Sequence, residues 1–363
     1  MTRPVRACID LSALRHNYAL LAGIAGTTQC YGVVKADGYG HGIAKTVQAL
    51  ADAPKFAVAF LEEALAIREA GVNKPVLLLE GFFGSDELKV CVEQGFEVML
   101  HEASQIESLA QAQLPGPLTV WLKLNTGMNR LGFTPEAAQQ VLESLRAMPQ
   151  VKVLGVMTHF ACADIEDLEP AQRQLERLLT FRQGTGAGLQ FAAANSAALV
   201  AIPEARLDWA RPGIMLYGCS PFAHRSAAEI GLKPVMSLKS ALIAVRDLKA
   251  GDFVGYGALW QAKADARMGV VAVGYADGYP RHAPQGTPVS VKGQRVPLIG
   301  RVSMDMITVD LTEMPSAQVG DPVELWGAEV SVDEVATRAG TISYELLTSV
   351  TKRVPRCYDD GLA

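Results

Sequence analysis

A lysine and a glycine-rich segment near the N-terminus form a pattern that could support covalent chemistry. Lys35 directly follows two valines, and the segment 38–42 after it contains three glycines together with Tyr39. A lysine where a strand leaves the core can turn its amine into a dry cavity, and burial favours the neutral amine that imine formation requires. Glycines let a backbone pass close to a ligand. A lone lysine at a strand end is more often solvated, so the pattern gains meaning only beside other residues.

Three further ionisable residues fall at or near the ends of later predicted strands. His159 could be a general base, a metal ligand or a satisfied core histidine. No second His or Cys lies at metal-ligand spacing, so we expect no metal site. Lys123 lies inside the apolar run 118–124, where a buried cation needs a partner or must lose its charge. Arg130 could equally pair with a surface carboxylate.

Ser196 and the segment 211–214 are candidates for an anion site. Ser196 follows the seventh predicted strand, and Gly213 and Ile214 follow Arg211 and a proline. In barrel enzymes the loops after strands seven and eight often bind phosphate through backbone N–H groups. An ordinary loop glycine and a helix-capping serine would give the same residues, so this alternative stays open.

Eight short apolar runs, alternating with helical segments, predict the elements that position these residues. The runs cover residues 30–36, 56–60, 76–81, 97–101, 118–124, 153–160, 190–195 and 214–217. Apolar runs without polar alternation suit strands covered on both faces. Eight strand–helix repeats predict an α/β fold with a closed (β/α)8 barrel of the TIM type, although periodicity alone leaves an open doubly wound sheet possible.

After residue 232 the pattern changes to successive strands with Gly-Asp turns. Strand-like runs cover residues 238–245, 268–274, 288–291, 296–299, 306–310 and 322–325, with one late helix at 332–339. This pattern predicts a mainly antiparallel β domain. We therefore expect a barrel over residues 1–232 and a β domain over residues 233–363.

Composition restricts the partners and the compartment. The formal net charge is -5 and aromatic residues make up 7% of the chain, so we expect no nucleic-acid partner. No apolar stretch is long enough to span a membrane, and residues 1–10 lack the apolar core of a signal peptide. The six cysteines are scattered, as is usual for free thiols. These features predict a cytoplasmic protein.

The segment 34–42 resembles the cofactor-attachment signature of the alanine racemases. The similarity continues in order through residues 124–132, 211–217, 254–257, 274–279 and 303–305. It implies a fold-type III isomerase that uses pyridoxal 5'-phosphate to interconvert L-alanine and D-alanine. It also implies a homodimer, because the family's second catalytic base comes from the partner subunit.

The resemblance assigns roles to particular residues. Lys35 would hold the cofactor as a Schiff base and act on the D-alanine face, and Tyr256 of the partner subunit would act on the L-alanine face. Arg211 would hydrogen-bond the pyridine nitrogen, and His159 with Arg211 would tune the tyrosine. The phosphate would be held by Tyr39, Ser196, Gly213, Ile214 and Tyr344.

The substrate carboxylate would be received by Arg130 and by the backbone N–H of the partner's Met304. Lys123 matches a lysine that is carbamylated in family members, and a carbamate there would orient Arg130. One departure is Ser303, where many members have cysteine, and we expect it to have a small effect.

Other functions remain as alternatives at this point. A fold-type III amino-acid decarboxylase also joins a barrel to a β domain, but Arg211 stands where an acidic pyridine partner would be expected. A non-catalytic carrier of the cofactor would resemble the barrel alone. A broad-specificity racemase would be expected to be exported.

Overall fold

The chain forms a parallel barrel and a β domain, and the computed structural model describes residues 3–361. A first strand, β1 (Arg6–Asp10), precedes the barrel. The barrel strands are β2 (Gln29–Val33), β3 (Lys55–Val58), β4 (Val76–Leu78), β5 (Phe96–Leu100), β6 (Leu118–Lys123), β7 (Val151–Met157), β8 (Gln190–Asn195) and β9 (Trp209–Arg211). They close in sequence order with every neighbouring pair parallel. The predicted closed barrel is thus confirmed, and the open doubly wound sheet was the wrong alternative.

Helices cover the outside of the barrel. They are α1 (Leu11–Ala25), α2 (Ile43–Ala49), α3 (Leu61–Glu69), α4 (Ser85–Gln94), α5 (Ala103–Gln111), α6 (Pro135–Ala147), α7 (Glu169–Gly184) and α8 (Ser196–Ala201). The Asp10 carboxylate caps α1 by accepting the Ala13 N–H at 2.9 Å. Across residues 3–361, none of the helices combines the length and apolar character needed to cross a membrane.

The eighth barrel strand does not lie where the sequence pattern placed it. Residues Ile214–Tyr217 form a 3-10 helix, and the strand is Trp209–Arg211, which closes the barrel by pairing with Gln29 and Cys30. Pro212 has no N–H to donate to a strand ladder, so the strand ends before it. The apolar run 214–217 is fully buried all the same, which explains why it resembled a strand. Arg211 is therefore the last residue of a barrel strand.

The second domain contains one eight-stranded sheet and two small helices. Its strands are β10 (Met236–Leu248), β13 (Ala266–Val271), β14 (Pro288–Val291), β15 (Gln294–Ile299), β16 (Ile307–Asp310), β17 (Pro322–Trp326) and β18 (Arg356–Asp359), with the hairpin β11 (Phe253–Val254) and β12 (Trp260–Gln261) beside it. Its helices are α10 (Val332–Ala339) and α11 (Ser343–Ser349), after the short connecting helix α9 (Ala227–Ile230). The predicted antiparallel domain is confirmed.

The eighth member of that sheet is β1. It pairs antiparallel with β10 and parallel with β18, so the first residues of the chain lie in the sheet of the second domain. No strand was predicted there, because its five residues are too few to show a period. The chain thus passes from the sheet of the β domain into the barrel and then back into the β domain.

A polar cluster crosses the barrel interior. Glu97 on β5 accepts hydrogen bonds from the Tyr31 hydroxyl at 3.2 Å and the Trp121 indole N–H at 2.9 Å, and it forms an ion pair with Lys55. Strands β2 and β5 are not neighbours, so the Tyr31–Glu97 bond joins opposite walls. A buried carboxylate is tolerated only when it is paired and hydrogen-bonded in this way.

Replacing Glu97 with glutamine should destabilise the protein substantially. The variant leaves Lys55 without its counter-charge, and breaking a buried ion pair costs about 3 kcal/mol. Urea unfolding followed by tryptophan fluorescence measures the change. Glu169→Gln, which breaks an exposed pair with Arg173, is the matched control and should cost less than about 1 kcal/mol. Equal midpoints for the two variants would contradict a stabilising role for the cluster.

Candidate active site

A single cavity of about 940 Å³ opens at the carboxyl ends of the barrel strands. Most of the predicted site residues line it: Lys35, Tyr39, Lys123, Arg130, His159, Ser196, Arg211, Gly213, Ile214 and Tyr344. Strand ends at this face are where barrel enzymes carry their chemistry, because loops from every strand converge there. Tyr256 and Met304 lie outside this cavity in the single chain.

Lys35 enters the cavity from an unusual backbone turn. Ala36, Asp37 and Tyr39 all have φ between 52° and 54°, and Gly38 has φ 62°, so the chain makes a left-handed turn directly after the lysine. Non-glycine residues adopt this conformation at a cost of about 1–2 kcal/mol each. The turn places the side chains of Lys35 and Tyr39 in the same cavity, whereas in an extended strand the two residues would lie far apart.

Two carboxylates hold the turn in place. Glu63 accepts the Ala36 N–H at 2.5 Å and the Ala59 N–H at 2.8 Å, so one side chain ties the lysine loop to the end of β3. Asp37 accepts the Ile43 N–H at 2.7 Å at the start of α2. Glu63 was missed in the sequence, because a glutamate in the first turn of a helix normally indicates only a favourable helix terminus.

Hydroxyl groups and a glycine form an anion cradle beside Lys35. The Gly213 N–H donates to the Ser196 hydroxyl at 2.8 Å. A Cβ on Gly213 would lie 2.4 Å from the Tyr39 hydroxyl, so only glycine lets that hydroxyl approach. Burial raises the pKa of Tyr39 and of Tyr344, so both remain protonated donors at neutral pH. This donor set fits the phosphate of pyridoxal 5'-phosphate.

Arg211 carries a free N–H at the floor of the cavity. Its Nη2 donates to the carbonyl oxygens of Thr158 at 2.6 Å and Ala193 at 3.2 Å. Its Nη1 is buried and has no hydrogen-bond partner among the residues that the structure describes. Burial lowers the pKa of Arg211 to about 10, which leaves it charged at neutral pH. An unpartnered donor here fits the ring nitrogen of the same cofactor.

The cavity concentrates positive charge. Burial, together with the neighbouring Arg211, Arg130 and Lys35, lowers the pKa of Lys123 to about 7. Burial and the same cations with Lys123 lower the pKa of His159 well below its usual value, so His159 is neutral. Gly132 covers Lys123, since a Cβ there would lie 2.8 Å from the lysine Cγ. Such a cavity favours anionic ligands.

The remaining two predicted residues lie exposed on the β domain. Tyr256 is 70% exposed in the turn between β11 and β12, and Met304 is 53% exposed in the loop before β16. Phe253, Leu259 and Met306 of the same domain are also exposed. Exposed large apolar side chains on one domain are typical of a surface used in protein–protein contacts.

The comparisons with known proteins agree over the whole chain. A family model described as "Alanine racemase, N-terminal domain" matches residues 9–221, and one described as "Alanine racemase, C-terminal domain" matches residues 235–358. A curated protein from Hahella chejuensis named alanine racemase is 52% identical over 98% of this chain and 98% of its own length.

Solved structures show the same similarity. The crystal structure of biosynthetic alanine racemase from Pseudomonas aeruginosa has a TM-score of 0.96 at 52% identity, and the match covers 99% of this chain and 100% of that one. The alanine racemase from Acinetobacter baumannii has a TM-score of 0.94 at 39% identity, with the same coverage.

The lowered pKa of Lys123 predicts how the stability of the folded protein depends on pH. Its charged form is penalised in the folded protein, so the penalty is complete below pH 7 and is relieved as pH rises from about 7 toward the usual lysine value of 10.5. In protein whose Lys123 amine is unmodified, as in buffer freed of carbon dioxide, Lys123→Met should therefore gain thermal stability relative to the native protein more at pH 6 than at pH 9.

Melting temperatures at the two pH values test this directly. Lys249→Met, which removes an exposed lysine paired with Asp265, is the control and should show the same small shift at both. A Lys123→Met shift that does not change with pH would refute the lowered pKa.

Proposed function

This chain belongs to the alanine racemase family, and from that premise we propose how its residues interconvert L-alanine and D-alanine. It is a pyridoxal phosphate-dependent isomerase. The observation that carries the assignment of residues is the single cavity, which brings a lysine, an anion cradle and an unpartnered arginine N–H together at one barrel mouth.

The cofactor's place follows from the donors in the cavity. Its phosphate would be held by the hydroxyls of Tyr39, Ser196 and Tyr344 and by the N–H groups of Gly213 and Ile214, at the start of a 3-10 helix. Lys35 would hold the cofactor through its amine, and the unpartnered Nη1 of Arg211 would donate to the ring nitrogen. When bound, pyridoxal phosphate supplies the electron sink that makes the α-proton of alanine acidic.

Racemisation removes a proton from one face of the substrate and returns one to the other, which requires two bases on opposite sides. Lys35 is the base within the barrel, on the D-alanine face. Tyr256 of the partner subunit is the base on the opposite, L-alanine face. The exposure of Tyr256 in the single chain supports a role across a subunit boundary, because a reactive phenol needs a dry site that its own barrel does not give it.

Arg211 and His159 set the electrostatics below the reacting atoms. Arg211 remains charged at neutral pH and keeps its own proton, so it donates a hydrogen bond without protonating the ring nitrogen. This limits electron withdrawal by the cofactor ring and suppresses transamination. His159, held neutral by burial and by the surrounding cations, is a hydrogen-bond partner for Tyr256 of the partner subunit.

The substrate carboxylate binds between Arg130 and the backbone N–H of the partner's Met304. Lys123 supports Arg130 as a carbamate. An amine with a pKa of about 7 is about half neutral at pH 7, and the neutral amine is the form that attacks carbon dioxide, forming an N–C bond and releasing one proton to solvent. The product is an anion beside Arg130, Arg211 and Lys35, which replaces a charge repulsion with an attraction.

The active form is then a symmetric homodimer, with each barrel mouth against the partner's β domain. In a two-fold dimer the exposed apolar residues Phe253, Leu259 and Met306 are covered together with Tyr256. We place the enzyme in the cytoplasm, where its six unpaired cysteines stay reduced. The barrel ends before residue 233, in the connection that leads into β10, while β1 belongs to the sheet of the second domain.

Two inactive variants should complement one another if the site is shared. Lys35→Ala and Tyr256→Phe should each lose nearly all conversion of L-alanine to D-alanine, measured in heavy water with deuterium at the α-carbon of the product. Dissociated and reassembled together, they should regain about one quarter of native activity, because half of the dimers are mixed and each has one intact site.

No recovery on mixing would show that Tyr256 acts within its own subunit. Binding of the cofactor without formation of D-alanine, with carbon dioxide released from lysine, ornithine or diaminopimelate, would instead establish the decarboxylase. Binding without any turnover would establish the carrier.

The carbamate has a direct physical signature. Intact-mass measurement under native, neutral conditions should show the chain heavier by one carbon dioxide, and brief acidification should remove that mass. Lys123→Met should lack it, and Lys249→Met should retain it. The Lys123→Met variant should also have a raised KM for alanine with a smaller effect on kcat, because Arg130 loses its anchor. An unmodified native mass at neutral pH would exclude the carbamate.

A further inference from the structure

Asp277 is a fully buried carboxylate clamped by two arginines from opposite ends of the chain. Arg3 forms a bidentate pair with it, with Nη2 2.6 Å from Oδ2, and the Nε of Arg353 lies 3.0 Å from Oδ1. The Gly274 N–H also donates to Oδ2 at 2.9 Å. The carboxylate is 0% exposed and lies outside the barrel cavity, so the mechanism above gives it no role.

The same two arginines hold the loop that contains Met304. Arg3 donates to the Asp305 carbonyl at 3.2 Å, and Arg353 pairs with the Asp305 carboxylate at 2.6 Å. The turn that Asp277 closes supplies two more donors. The Tyr275 N–H donates to the Ser303 carbonyl and the Ala276 N–H donates to the Met304 carbonyl, both at 3.0 Å. Three successive carbonyls of the loop thus face the clamp.

Peptide geometry then fixes where the loop's N–H groups point. In a trans peptide the C=O and the N–H point in opposite directions. Because the Ser303 and Met304 carbonyls face inward to the clamp, the N–H groups of Met304 and Asp305 face outward. Neither of these N–H groups has a hydrogen-bond partner within residues 3–361. The loop presents adjacent outward donors, an arrangement that binds a carboxylate.

The loop that contains Met304 and the turn that contains Gly274 are in close backbone contact. A Cβ on Gly274 would lie 2.3 Å from the Met304 carbonyl and 2.4 Å from that of Ser303, so the two segments touch backbone to backbone. Rotation of either peptide by a few tens of degrees would break these contacts. The direction of the Met304 N–H therefore depends on the ion-pair clamp behind it.

We propose that Arg3, with Asp277 and Arg353, is a positioning residue for substrate binding: it aims the Met304 and Asp305 N–H groups at the substrate carboxylate in the partner's cavity. This rests on the proposed function, in which that loop acts across the dimer. Arg3 precedes β1, so the N-terminal segment of one subunit sets the affinity of the other subunit for alanine. Arg3 and Arg353 touch neither the cofactor nor the substrate.

The first test is the Arg3→Gln variant of the full-length, cofactor-loaded enzyme. KM should rise about 10-fold for both L-alanine and D-alanine with kcat changed less than about threefold, because a contact made equally to substrate and transition state is weakened. Arg3→Lys keeps the positive charge but not the bidentate geometry, so its KM should lie between those of the native enzyme and of Arg3→Gln. Arg15→Gln, which removes an exposed N-terminal arginine paired with Asp360, should leave KM unchanged.

Binding of propionate separates this inference from the proposed function. Propionate has alanine's carboxylate and no amine, so its Kd, measured by calorimetry, reports the carboxylate contact without turnover. Arg3→Gln should weaken it about 10-fold. If the native enzyme fails to racemise alanine, the proposed function fails, while this measurement still tests the clamp. A folded Arg3→Gln variant with native KM and native propionate Kd would overturn the inference.

Asp305→Asn provides a second variant in case Arg3→Gln does not fold. Asp305 is half exposed, and removing its charge leaves the ion pairs of Asp277 in place, so the variant should fold. Its KM for alanine should rise about threefold. An unchanged KM and propionate Kd in this folded variant would also contradict the clamp.

Mixed dimers test the direction of action. In a heterodimer of Arg3→Gln with Lys35→Ala, isolated through two affinity tags, the one functional lysine faces the loop of a chain with an intact Arg3. Its KM should return to the native value. A KM that stays raised would show that the loop acts within its own subunit, and would overturn the proposal as stated.

Discussion

The crowding of cations at the barrel mouth is the constraint on which the site depends. Lys35, Lys123, Arg130 and Arg211 line one cavity. Burial, together with these positive charges, disfavours the charged forms of Lys123 and His159. Two features reduce the repulsion among these charges: His159 is neutral, and the pKa of the Lys123 amine is lowered. What remains is a strongly positive, partly dry space that the phosphate of the cofactor and the carboxylate of the substrate neutralise.

The left-handed turn after Lys35 and the closing of the barrel serve that constraint together. The turn brings Tyr39 beside Gly213, whose missing side chain makes room for the hydroxyl, while the barrel's last strand ends at Arg211. Strain in the turn is offset by the Glu63 and Asp37 carboxylates, which accept the backbone N–H groups at its start and after its end. The anion cradle and the arginine are thus set by backbone geometry more than by long flexible side chains.

The sequence permitted the barrel, the β domain and the barrel residues of the site to be predicted, because apolar runs mark buried strands and family motifs mark their ends. It misplaced the eighth strand, since the run Ile214–Tyr217 is as apolar as a strand but follows Pro212. It gave no sign of Glu63 or of the Arg3–Asp277 pair, whose partners are distant in the chain and ordinary in type. Such contacts depend on tertiary packing, which local patterns do not contain. The roles of the individual site residues remain predictions.

During synthesis on the ribosome, β1 emerges before the barrel, yet both of its neighbours in the sheet follow the whole barrel. It pairs with β10 only after the barrel has been made, and with β18 only after the other strands of the β domain. Until then it is an unpaired edge exposed to wrong partners. The loop around Met304 likewise makes its contacts only once Arg353, which follows Asp305 by 48 residues, has been made. A nascent chain can thus complete its barrel well before the sheet of the β domain and the loop around Met304 are in place.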